Sequence, residues 1–181
     1  MNSFKRTVML AICAALVVAL AAPHFPGANA ADKEKKKKDR ALDRTRETVK
    51  MLDEIYKTAV VLITTHYVND KDDLPAGTAA IALFEAVGKG GTHQVRLLDA
   101  SGEPLEDKNT AKDAFEKAAV EKLKAGAAWH EEVIKKDGKR YLRAATPIPV
   151  VLKKCVMCHE NYADAKKNEP IGALSYTIPI K

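Results

Sequence analysis

Cys155, Cys158 and His159 form a Cys-x-x-Cys-His run in a chain of 181 residues. In an exported protein, two thiols three positions apart reach the two vinyl groups of one porphyrin, and the adjacent imidazole meets its iron. The run therefore reads as covalent attachment of a c-type haem. Three other chemistries use paired cysteines. Structural zinc needs four ligands, and the sequence has no second Cys-x-x-Cys and no closely spaced histidine pair. A redox dithiol sits at a strand-to-helix turn in a thioredoxin-like unit, and that pattern is missing. A disulfide across two residues leaves His159 unexplained.

The haem reading requires export, and the N-terminus supplies the signals for it. Lys5 and Arg6 make a short positive region, an apolar run covers residues 8–22, and Ala28-Asn29-Ala30 is a small-x-small cleavage site. Cleavage is expected after Ala30. The apolar run is shorter than the roughly 20 residues that span a bilayer, and Pro23 follows it, so no stable membrane span is expected once the signal is removed. Ile12 before Cys13 does not suit a lipoprotein signal, and loss of the signal leaves only Cys155 and Cys158. The expected location is the periplasm or another exported compartment.

After cleavage 28 basic residues face 24 acidic ones, a net charge of +4. Residues 32–40 alone contribute +3, so the basicity belongs to a tether. Residues 31–40 read as a basic, disordered linker, and residues 41–181 as a single domain large enough for its own core. Export and the lack of interleaved aromatics argue against nucleic acid as a partner.

The elements that must position the haem run follow from periodicity. Leu42, Thr45, Val49, Leu52, Tyr56, Ala59, Ile63 and His66 recur at alternating steps of three and four, which predicts one long helix over residues 41–68. Its stripe serves core packing or a homodimer seam. Pro75 opens a second helix to Val87, stopped by Gly88, Gly90 and Gly91. Residues 93–98 alternate as a strand. Asn109 or Thr110 is expected to cap a third helix ending at Ala125 before Gly126. Asp137-Gly138 between residues 129–136 and 139–146 signals an antiparallel hairpin, and Pro147 and Pro149 end its second strand or confine it to an edge. Residues 172–178 read as a last strand. Helices interspersed with an antiparallel sheet make the fold class α+β.

Small His/Met cytochromes carry the motif early and a methionine well after it, whereas no methionine follows His159. Four-helix cytochromes place the motif on a last helix, but here an Asp-Gly hairpin precedes it and a strand-like tail follows. The order of parts resembles instead the Tll0287-like haem domain: Val95-Arg96-Leu97-Leu98, the turn from Glu103-Pro104 to Asn109, Phe115, the Asp-Gly hairpin, Cys155 to His159, and the closing Gly172 to Ile180. That resemblance implies a PAS-like antiparallel sheet with a long N-terminal helix and one haem c. It also implies attachment at Cys155 and Cys158, with His159 as the proximal iron ligand. Members occur as free exported proteins and as sensor modules.

The family pattern draws its distal ligand from a cysteine in the N-terminal helical region, and the mature chain has none. His66, Tyr67, His93 and Met157 are the alternatives, with His66 foremost because it ends the helical stripe; an open distal position is equally compatible. Arg96 and Arg143 are expected on strands, where a guanidinium matches a haem propionate bidentately. The chain is thus expected to be a haem-based redox or gas-responsive module, with a diatomic gas as ligand and a redox or signalling protein as partner. Its rival is a periplasmic electron-transfer cytochrome. No enzymatic role is expected.

Overall fold

The computed structural model describes residues 39–70 and 73–181. The expected signal peptide, and the linker up to residue 38, lie outside the described residues. Asp39 and Arg40, assigned to the linker from sequence, instead start the first helix. Asp39 is its N-cap, accepting from the Leu42 N–H at 3.0 Å, and its carboxylate also pairs with Arg140.

Helix α1 runs Arg40–His66, α2 Ala76–Lys89 and α3 Ala114–Lys124; α4, Lys154–Cys158, is a single short turn. The strands are β1 Gln94–Asp99, β2 His130–Lys136, β3 Lys139–Pro149 and β4 Pro170–Pro179. They form one sheet in the order β1-β4-β3-β2 with every pairing antiparallel. The expected α+β class, with a long N-terminal helix against an antiparallel sheet, is the observed one. No described helix is long and apolar enough to cross a membrane.

Strand alternation divides the core into two layers. Val95, Leu142, Ala144, Leu174, Tyr176 and Ile178 face Val49 and Tyr56 of α1 and Ala80 and Phe84 of α2. Phe84 meets Tyr56 edge to face, with centroids 5.3 Å apart. Leu98, Ala145 and Ala173 point to the other side, against Phe115, Ala119 and Leu123 of α3. The sheet is therefore covered on both faces. Arg46 fixes α1 to β2 by a fork onto the Glu131 carboxylate, with Nε at 3.0 and 3.1 Å from its two oxygens.

The Asp137-Gly138 hairpin forms as expected, with φ of 51° and 73° at the two turn residues. β3 runs through Pro147 and ends at Pro149, with both prolines on an edge as expected. It can do so because β2 pairs only as far as Ala145, so the two prolines lie where that side of β3 is an open edge. The third helix is capped by Asp113, not by Asn109 or Thr110. The Asp113 carboxylate accepts from the Glu116 N–H at 2.9 Å, while residues Asp107–Asn109 close a separate 3-10 turn and Thr110 is extended. Pro75 is the N-cap of α2 and not its first residue.

Candidate functional site

A cavity of about 450 Å³ lies between the C-terminal half of α1, the start of α2, and the ends of β1, β3 and β4. Its wall is largely apolar, with Val60, Val61, Val68, Ile81, Phe84, Leu97, Ile148 and Leu174 contributing. Cys155 and His159 belong to the same wall. Volume and character suit an organic cofactor, since such sites run from roughly 300 to 1,000 Å³ with apolar linings and few polar groups.

The Cys-x-x-Cys-His segment is brought here by local structure. Residue 155 starts one turn off β3: the Cys155 N–H donates to the Leu152 carbonyl at 3.0 Å, and α4 ends at Cys158. The chain then closes a 3-10 turn over Glu160–Tyr162, which lays the Tyr162 ring on His159 at 4.5 Å between centroids and 12° between planes. Burial holds the His159 imidazole below its ordinary pKa, against the opposing pull of the Asp99 charge, so it is neutral at pH 7. Burial also raises the Tyr162 phenol. Lys154 pins the segment to α1 through the carbonyls of Thr65, at 3.1 Å, and Val68, at 2.6 Å.

Gly172 lets β1 and β4 close over the cavity's edge. A Cβ there would lie 2.9 Å from the Leu98 carbonyl oxygen, closer than side chains and backbone approach one another.

The residues present fit a haem. The His159 Nδ1 is buried without a hydrogen-bond partner, and His159 shares with Cys155 the wall of an apolar cavity of cofactor size. A neutral imidazole is the form that binds iron. Among the described residues, no cluster of three or more His, Cys, Asp or Glu side chains is arranged to hold a bare ion.

The other residues singled out from sequence lie elsewhere. His66 and Tyr67 are exposed, Tyr67 at 76%, and neither lines the cavity. Met157 is half-buried and does not line it either. His93 is occupied on both ring nitrogens, by the Tyr56 hydroxyl at 2.6 Å and the Thr92 hydroxyl at 3.0 Å. Arg96 and Arg143 project from the α3 face. Arg96 pairs with Glu116 and donates to the Lys108 and Thr110 carbonyls; Arg143 pairs with Asp113 at 2.8 Å and lies 4.2 Å over the Phe115 ring. Neither guanidinium lines the cavity.

Lys57, Asp53 and Lys154 escaped the sequence reading. The Lys57 ammonium, in the cavity wall, bonds Asp53 at 2.8 Å and the Thr146 hydroxyl at 3.1 Å. The signal for the pair was an i, i+4 Asp-Lys couple astride the apolar stripe, and for Lys154 its place directly before Cys155.

An α+β domain that closes an apolar, cofactor-sized cavity with a Cys-x-x-Cys-His turn is built as a prosthetic-group holder. The family model of the Tll0287-like domain matches residues 30–179, and the chain belongs to that family. That membership points to a haem-binding domain. The comparison with curated proteins gave no match.

Proposed function

We propose that the chain is an exported protein with one haem c, attached at Cys155 and Cys158 and ligated by His159, and that it acts as a redox or gas-responsive module. The observation that carries this reading is the wall given by α1 and α2. Val60, Val61, Thr64, Ile81 and Phe84 present no strong iron ligand, and Lys57, the one nitrogen donor these helices place there among the described residues, is tied to Asp53 and Thr146. Such a wall suits an open distal position. When bound, haem supplies an iron that changes oxidation state or takes a diatomic ligand.

The chain's own residues do the rest. The two cysteines hold the group, Tyr162 fixes the plane of the His159 ring, and the apolar side chains exclude water. Lys154 joins the attachment turn to the end of α1, so a shift at His159 reaches that helix, and through it a signalling or redox partner protein. Enzymatic turnover is not assigned.

Co-expression with a cytochrome c maturation system tests the reading. A pyridine haemochrome typical of two thioether bonds is expected, with an absorption spectrum that changes on adding CO to the reduced protein. A six-coordinate spectrum unmoved by CO and NO in both oxidation states overturns the gas-responsive role and leaves electron transfer. Absence of covalent haem overturns the whole reading.

A further inference from the structure

A haem c brings two propionates, and the arginines that suit them best by type are engaged across the sheet with Glu116 and Asp113. Among the described residues, two lysines reach the cavity, Lys57 and Lys154. Lys154 is committed to the Thr65 and Val68 carbonyls, beside the attachment turn. Lys57 lies eight positions earlier on α1 than Thr65, or about 12 Å along the axis at 1.5 Å per residue. Its bond to Asp53 draws the ammonium one turn further in the same direction. The ammonium thus marks the end of the cavity remote from Cys155. A porphyrin tethered through its vinyl groups directs its propionates away from the tether, because the two pairs of substituents leave from opposite edges of the ring.

We infer that Lys57 forms the propionate subsite of this cavity, a role that rests on the haem c reading above; the Thr146 hydroxyl, which accepts from Lys57 and donates to Asp53, positions the ammonium. An ammonium has three N–H donors, and Asp53 and Thr146 take two. Asp53 does not monopolise the charge, since its other oxygen accepts from the Tyr176 hydroxyl at 2.9 Å and from Thr146. Burial pushes the Tyr176 phenol far above its ordinary value, so it stays protonated and donates. The Lys57 side chain remains 30% exposed, which lets a carboxylate pair with it and keep part of its hydration.

The test compares wild type, Lys57→Met and Lys57→Arg as purified haem proteins by spectroelectrochemical titration and resonance Raman spectroscopy. Covalent haem in the wild type is checked first; if it is missing, the parent reading fails, and this one with it. With haem present, Lys57→Met is expected to keep it, lower the midpoint potential and shift the propionate bending band, because a cation near the ring favours the reduced state. Lys57→Arg is expected to restore both. An unchanged band in Lys57→Met overturns the subsite even if the potential moves, since a charge acting only through space leaves the band alone. Should Lys57→Met not fold, Lys57→Gln keeps a hydrogen bond toward Asp53 and carries the same comparison.

Discussion

The ammonium of Lys154 donates to the carbonyl oxygen of Val68 at 2.6 Å, joining the residue before Cys155 to the chain just past α1. A second bond, to the Thr65 carbonyl at 3.1 Å, satisfies one of the acceptors that a helix end leaves open. A cation at that end is also favoured by the helix dipole. Lys154→Met is expected to cost about 1 kcal/mol in urea denaturation, in line with a partly exposed charged hydrogen bond. Amide exchange in the last turn of α1 should quicken with it. Unchanged exchange there would show that the attachment turn and the helix end are independent.

Glu116 is the acid on which the α3 face depends. Its side chain is 3% exposed, pairs with Arg96, and accepts from the Lys112 N–H at 2.8 Å. Removing one partner of a buried pair leaves the other charge uncompensated. Glu116→Ala is therefore expected to lose about 3–5 kcal/mol in chemical denaturation. Because this network lies across the sheet from the cavity, the absorption spectrum of the folded variant should match wild type.

Much of the fold was legible because its signals are local. The Asp-Gly turn, the α1 periodicity and the strand alternation each act within a few residues. The α3 cap was less so: Asn109, Thr110 and Asp113 are all good caps by type, and the choice fell to the Glu116 N–H reaching Asp113. His66 failed for a geometric reason. A stripe at steps of three and four follows a period of 3.5, and on a straight helix this drifts by about 20° per heptad. From Thr45 to His66 is three heptads, enough to carry the stripe off the buried face. The buried or lining positions instead shift to Tyr56, Val60, Thr64 and Val68. His66→Ala and Tyr67→Phe are accordingly expected to leave the haem spectrum unaltered; a changed Soret band in either would place that residue at the iron.

Stability should fall in two steps with acid. Burial holds His93 and His130 below their ordinary value of 6.5, so the unfolded chain takes up protons more readily than the folded one. Their contribution is complete above about pH 6.5 and declines as pH falls through it. Glu131 is held below 4.5 by its hydrogen bonds from Arg46, with Trp129 helping at 2.8 Å. Its contribution is present above that value and is lost as pH falls through the lowered pKa. Thermal melts from pH 8 to 3 should show both declines. His93→Gln should make the upper one shallower, with His130 keeping its share, and Glu131→Gln should do the same to the lower one, each leaving the other in place.

Gly172 offers a test of how closely the sheet must close at the cavity. It pairs with Asp99 on β1 and lines the cavity, and the neighbouring Leu98 carbonyl would stand 2.9 Å from an added Cβ. Backbone cannot swing aside as a flexible side chain does, so β1 must move away from β4 to admit even one methyl group. Overpacking of this kind costs about 1–3 kcal/mol. Gly172→Ala is therefore expected to lower the melting temperature and also to reduce covalent haem yield, because the strand that shifts carries Leu97 and Leu98 of the cavity wall. Destabilisation with full haem loading would mean that the pocket tolerates a wider β1–β4 gap than its packing implies. No effect on either measurement would mean that the Leu98 carbonyl can retreat without cost.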